Sequence, residues 1–127
     1  MADDKYVMVV EDDPFYLKIY KTKLAKENIN AELANNGDEA IKVIREKGQP
    51  SLMLLDLIMP GKDGFETLAE IKGNPEMKDI PVIVLSNLSQ EEDIKRIMDL
   101  GALDYLIKAN TPIQEVINRL KAALAGK

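Results

Sequence analysis

Short apolar runs at residues 6–10, 52–55 and 82–85 most constrain what this chain can fold into. Each is nearly continuous, aliphatic or β-branched, and lacks the polar alternation of a strand with one wet face. Such runs suit parallel strands covered on both faces. Weaker runs at 31–33 and 105–107 have the same character. Helical signals fill the intervals. Pro14 fits a first helical position after Asp13 as N-cap, with Leu17, Tyr20 and Leu24 on one face. Asn36 with Glu39 forms a capping arrangement before Ala40, Ile41 and Ile44, and Asp63 caps a helix carrying Phe65, Leu68 and Ile71. Ser89 with Glu92 reads as a capping box before Ile94, Ile97 and Met98, with Gly101 as the stop. Thr111, Pro112 and Gln114 signal a last helix bearing Ile113, Val116, Ile117, Leu120 and Leu124. Strand and helix alternate five times, which predicts an α/β domain over residues 1–127 with a parallel sheet between two helical layers.

In open sheets of this kind, ligands bind beyond the carboxyl ends of the strands, where the strand order reverses. Glu11, Asp12 and Asp13 follow the first run, Asp56 the third, Ser86 and Asn87 the fourth, and Lys108 the fifth. Asp56 stands between Leu52-Met53-Leu54-Leu55 and Leu57-Ile58-Met59-Pro60. An ionised carboxylate buried there costs several kcal/mol unless it is paired or binds a metal. Each residue alone has a plainer reading. Asp13 is an N-cap, Glu11 and Asp12 are solvated acids, Asp56 is a turn residue, Ser86 is structural and Lys108 lies on the surface. Their joint placement at strand ends favours one cleft. Crowded carboxylates raise one another's pKa, and a divalent cation relieves them. Oxygen ligands with room for waters match magnesium. Lys108 supplies a compact positive charge and Ser86 a hydroxyl. Together they read as a phosphoryl-transfer site with Asp56 as a carboxylate nucleophile.

Composition narrows the remaining classes. The net charge of −5 argues against direct nucleic-acid binding, which needs concentrated positive charge. No run of ~18 apolar residues could insert in a membrane, and Met-Ala-Asp-Asp-Lys does not open like a signal peptide. The chain has no cysteine, which excludes disulfides and thiol catalysis and fits a cytoplasmic protein. It has no histidine either, so the commonest general base and zinc ligand are missing.

The motifs Val9-Val10-Glu11-Asp12-Asp13-Pro14, Leu54-Leu55-Asp56-Leu57-Ile58-Met59-Pro60, Gly64, Val84-Leu85-Ser86, Gly101-Ala102 and Asp104-Tyr105-Leu106-Ile107-Lys108 together resemble the receiver domains of bacterial two-component response regulators, the chemotaxis regulator among them. The resemblance covers essentially the whole chain. It implies a flavodoxin-like five-stranded sheet in order 2-1-3-4-5 with five flanking helices. It implies that Asp56 accepts a phosphoryl group from a histidine kinase or a histidine phosphotransfer protein. Asp12, Asp56 and the backbone carbonyl of Ile58 would bind Mg2+, with Glu11 acting through water. Lys108 and Ser86 would contact the phosphoryl oxygens. Tyr105 would be the rotameric switch that follows Ser86, changing the helix 4–strand 5–helix 5 surface read by a downstream protein. Such a module is not an enzyme on other substrates; it catalyses only its own phosphorylation and dephosphorylation. The chain ends just after the fifth helix, which fits a stand-alone diffusible messenger, a relay intermediate or a receiver cut from a longer protein alike.

Two departures from the family pattern stand out. Ala109 follows Lys108 where proline after a cis peptide is usual, and a trans peptide is expected because a non-proline cis bond costs about 2.5–4 kcal/mol. Ile58 and Asn87 replace a polar and a small residue at the rim, from which slowed or altered self-dephosphorylation is expected. A pseudo-receiver, a scaffold that works without phosphorylation, is the alternative that the altered loop keeps open. A haloacid-dehalogenase phosphatase fits less well, since its nucleophile follows the first strand in an Asp-x-Asp pattern. A flavin carrier fits poorly because Glu11, Asp12 and Asp13 would repel the flavin phosphate.

Overall fold

The computed structural model describes residues 5–126. The reading of Met1 to Asp4 as part of a non-exported start lies outside the described residues, as does Lys127. The elements run β1 (Val7–Val10), α1 (Pro14–Lys26), β2 (Ala31–Ala34), α2 (Gly37–Lys47), β3 (Leu52–Leu55), α3 (Gly64–Lys72), β4 (Val82–Ser86), α4 (Glu91–Leu100), β5 (Asp104–Ile107), a 3-10 turn (Lys108–Asn110) and α5 (Ile113–Ala125). All four strand pairings are parallel and the order is β2-β1-β3-β4-β5. This is the expected flavodoxin-like arrangement. The order reverses between β1 and β3, so the crevice lies beyond their carboxyl ends.

Alternation along the strands divides the core in two. Val7, Val9, Leu52, Leu54, Ile83, Leu85 and Leu106 pack with Leu17, Tyr20 and Leu24 of α1 and Val116, Ile117 and Leu120 of α5. Met8, Val10, Met53, Leu55, Val82 and Val84 pack with α2, α3 and Ile97 of α4. Both strand faces are covered, which is why the runs read as continuous rather than alternating. Each fully buried aliphatic side chain contributes about 1.5–3 kcal/mol through the hydrophobic effect.

Three caps form as expected. The Asp13 carboxylate accepts from the Phe15 N–H, Asn36 from the Glu39 N–H, and Asp63 from the Glu66 N–H in a reciprocal capping box. Glu39 is offset by one: its carboxylate accepts from Asn35 at 2.7 Å. The expected Ser89 box does not form. Helix α4 begins at Glu91, with Gln90 at the N-cap and no side-chain cap bond. The chain up to Leu88 is still tied to Ser86 and Tyr105, so the helix starts later. Glu91, Glu92 and Asp93 in its first turn complement the helix dipole instead. Only Ile97 of this helix is fully buried, and Met98, placed on the apolar face by its spacing, is exposed. Thr111 also caps nothing. Its hydroxyl donates backward to the Ile107 carbonyl at 2.8 Å, and Pro112 precedes α5. Gly101 ends α4 in the left-handed region, with φ 108°, a conformation that costs glycine little. Among the described residues no helix is long and apolar enough to cross a membrane.

Candidate functional site

Strand register builds the site. Val10 pairs with Leu55, so the next residues, Glu11 and Asp56, leave the sheet side by side. Backbone bonds hold both there: Asp56 N–H donates to the Val10 carbonyl and Glu11 N–H to the Ala34 carbonyl, each at 3.0 Å. The last rung between β4 and β5 joins Ser86 to Ile107, which sets Lys108 one residue past the sheet. By strand alternation Glu11, Asp56 and Lys108 fall on the α1/α5 side, whereas Ser86 and Tyr105 fall on the α2–α4 side.

The ammonium of Lys108 links the two buried acids. Its Nζ donates to Glu11 Oε1 at 2.6 Å and lies 3.5 Å from Asp56 Oδ2. It also sits 4.3 Å from the centroid of the Tyr16 ring, a cation–π contact from α1. Of its two contacts with acids the shorter is to Glu11. Glu11 is only 3% exposed, and its second oxygen accepts from the Asp13 N–H at 3.2 Å. Burial pushes the Glu11 carboxyl up to about 7; the bond from Lys108 opposes this and the charge of Asp56 adds to it. For Lys108, burial pulls downward, but the bond to Glu11 and the field of Asp56 outweigh it and leave the ammonium above its ordinary value.

Asp56 is 8% exposed, and its Oδ1 accepts from the Leu57 N–H at 2.8 Å. The chain beyond it turns through Ile58, whose side chain is 60% exposed at the rim. Gly64 closes that turn. Its N–H donates to the Leu57 carbonyl at 2.9 Å. A Cβ there would lie 2.3 Å from the Asp56 carbonyl oxygen and 2.6 Å from Leu57 Cα, so only glycine fits. Lys62, in the same loop, reaches Asp38 at 3.4 Å and Glu70, tying the loop to α2 and α3.

Carboxylate oxygens of Glu11, Asp12 and Asp56 all lie within 4.8 Å of one another, close enough to share one ion. Asp12 is exposed, so its carboxylate is accessible to an ion from solvent. An all-oxygen, strongly negative donor set that is crowded when empty fits a hard divalent cation.

On the other side, Leu88 joins Ser86 to Tyr105. Its N–H donates to Ser86 Oγ at 3.3 Å and its carbonyl accepts from the Tyr105 hydroxyl at 2.6 Å. Burial holds the Tyr105 hydroxyl above its ordinary pKa, with Ser86 as a neighbouring hydrogen-bond partner that lowers it. The Lys108–Ala109 peptide is trans, as expected, and the chain there forms a 3-10 turn. Asn87 does not simply border the cleft; its side chain accepts from the Ala109 N–H at 2.8 Å.

Glu11, Asp12, Asp56 and Lys108 therefore converge beyond the strand ends, while Ser86 and Tyr105 meet through Leu88 on the α2–α4 side. Tyr16 and Leu88 were missed. Neither carries a sequence signal, since one acts through its ring face and the other through its backbone.

Comparison with known proteins assigns this arrangement. Residues 7–121 match the response regulator receiver domain family. The chain belongs to that family. As a receiver domain of two-component response regulators it is 38% identical over 104 residues to the probable C4-dicarboxylate response regulator DctR of Bacillus subtilis, covering 80% of this chain and 45% of that protein. Among solved receivers it is 32% identical to the BeF3-activated N-terminal receiver domain of Klebsiella pneumoniae RstA, with a TM-score of 0.82 over 94% of this chain and 98% of that one. The Mn2+-bound response regulator Rcp1 is 31% identical, with a TM-score of 0.79 over 93% and 90% of the two chains; Rcp1 is a Synechocystis protein. The receiver spans about half the length of the first curated relatives it matches, 45% and 49%.

Proposed function

We propose that residues 1–127 form one phospho-accepting switch in which Asp56 takes a phosphoryl group, with Mg2+, from a phosphohistidine on a partner kinase or phosphotransfer protein. The observation that carries this reading is the convergence of Glu11, Asp12 and Asp56 within 4.8 Å of one another, with Lys108 bonded into the same cluster. Asp56 Oδ2 faces the Lys108 ammonium, while Oδ1 is occupied by the Leu57 N–H.

In the transfer an Asp56 oxygen forms a P–O bond as the donor P–N bond breaks. The electron pair of that bond stays on the ring nitrogen, and the donor leaves as neutral imidazole when its other nitrogen is protonated. Lys108 neutralises charge on the equatorial oxygens. Asp12, Asp56 and the Ile58 carbonyl would hold Mg2+, with Glu11 acting through water; the ion supplies charge neutralisation that the carboxylates cannot. The absence of histidine fits this scheme, because the donor imidazole belongs to another molecule.

The switch follows from the Ser86–Leu88–Tyr105 chain. New phosphoryl oxygens attract the Ser86 hydroxyl, which carries its loop and the Tyr105 contact with it and alters the α4–β5–α5 surface seen by a downstream protein. A bias of about 3–5 kcal/mol between two states suffices. The chemistry is confined to the protein's own aspartate, in a cytoplasmic setting.

Intact mass after incubation with magnesium and acetyl phosphate tests the reading. We expect gain of one phosphoryl group, abolished in Asp56→Asn. Failure to gain mass while magnesium still binds would instead identify a scaffold that works without phosphorylation.

A further inference from the structure

We propose that Asn87 is a positioning residue: its carboxamide straps the segment after Ser86 to the segment after Lys108, and so holds the Lys108 ammonium for a phosphoryl group on Asp56. The inference rests on the phospho-accepting reading above and concerns one residue that reading does not use.

Parallel pairing between β4 and β5 reaches its last rung at Ser86 and Ile107. Past that rung the sheet no longer ties the two segments, yet the next residues are Asn87 and, one beyond Lys108, Ala109. Asn87 Oδ1 accepts from the Ala109 N–H at 2.8 Å, spanning 22 positions of sequence. A side-chain acyl oxygen thus supplies the acceptor that a further rung would have offered. The Lys108 segment is otherwise closed on itself. Thr111 N–H donates to the Lys108 carbonyl at 3.4 Å, and the Thr111 hydroxyl donates to the Ile107 carbonyl at 2.8 Å. The strap hangs that closed turn on the end of β4.

Position matters because a lysine head on a four-carbon stem is only as well placed as its backbone. Lys108 must satisfy Glu11 at 2.6 Å and Asp56 at 3.5 Å at once. Glu11, Asp12 and Asp56 follow β1 and β3, so their backbone is placed by those strands and not by the strap. Loss of the strap should therefore separate two affinities that a general loss of structure would lower together.

The test measures binding of Mg2+ alone, and of beryllofluoride with saturating Mg2+, by titration calorimetry on the unaltered chain, Asn87→Ala, Ala109→Pro and the double variant. Loss of one hydrogen bond predicts that Asn87→Ala weakens beryllofluoride binding about two- to tenfold and lowers the urea midpoint slightly, without weakening Mg2+ binding. Ala109→Pro lacks the donor, so Asn87→Ala should cost nothing further in that background. Equal beryllofluoride affinity in Asn87→Ala and the unaltered chain overturns the proposal. So does an equal loss of Mg2+ affinity, or full additivity in the double variant. If the unaltered chain binds Mg2+ but no beryllofluoride, the phospho-accepting reading itself falls, and the strap with it.

Discussion

Lys108 bonds to Glu11 at 2.6 Å, closer than its 3.5 Å approach to Asp56. The ammonium thus rests on the acid that the proposed transfer leaves unmodified, and Asp56 keeps one oxygen only loosely engaged. Both acids are nearly buried, so the arrangement depends on the cation between them.

Removing that cation tests the dependence. Lys108→Ala leaves Glu11 and Asp56 facing one another, and we expect a loss of up to about 3 kcal/mol in metal-free stability at neutral pH, the lower end of what deleting one partner of a buried pair costs. Magnesium should bind the variant more tightly than the unaltered chain, because the competing ammonium is gone, and should recover much of the lost stability. Urea titrations with and without magnesium give both quantities; a variant as stable as the parent without metal would refute the account.

Gly64 makes a steric prediction. An added Cβ would meet the Asp56 carbonyl oxygen at 2.3 Å, and backbone cannot yield as a flexible side chain can. Gly64→Ala should cost about 1–3 kcal/mol, as overpacking does, and lower phosphoryl acceptance on Asp56 even in the folded fraction. Normal acceptance per folded molecule would show that the contact relaxes harmlessly.

Ile58 projects from the rim, 60% exposed, two residues beyond Asp56. A branched apolar side chain there offers no hydrogen bond to a water attacking the proposed aspartyl phosphate. Ile58→Asn should shorten the phosphoryl lifetime severalfold, measured by decay of the phosphorylated mass. Equal lifetimes would remove the idea.

Tyr6 sets a pH dependence remote from the site. Its hydroxyl donates to the Gly48 carbonyl at 2.6 Å, and burial, with a smaller push from Glu32, raises its pKa from 10.0 to about 12. The fold prefers the neutral phenol, so this contribution is complete below pH 10.0 and is lost as pH rises towards about 12. Tyr20 and Tyr105 are raised in the same direction by burial and add to the slope. Tyr6→Phe should cost about 0.5–1.5 kcal/mol at neutral pH and flatten the alkaline decline in the urea midpoint. An unchanged slope would assign that decline to the other two tyrosines.

Much of this is legible in the sequence. The runs at 52–55 and 82–85 mark their strands because both faces of a parallel strand are buried. Asp13, Asn36 and Asp63 announce their helices because a cap is a bond within a few residues. Helix α4 departs from its sequence signals at its start and in its apolar face. Its entrance is governed by Tyr105 and Ser86, through Leu88, and those contacts cross between strands.

The sequence by itself determined that Glu11, Asp12, Asp56, Ser86 and Lys108 stand at strand ends. Strand ends are read from hydrophobic periodicity, and in an open parallel sheet they share one edge. Only the tertiary structure decided how those residues divide the work: that Lys108 rests on Glu11, that Tyr16 lies against it, that Asn87 holds Ala109, and that Gly64 must have no side chain. The physical reason is range. Periodicity and capping arise from neighbours along the chain, whereas each of these contacts joins separate elements and depends on ångström-scale placement by the packed core.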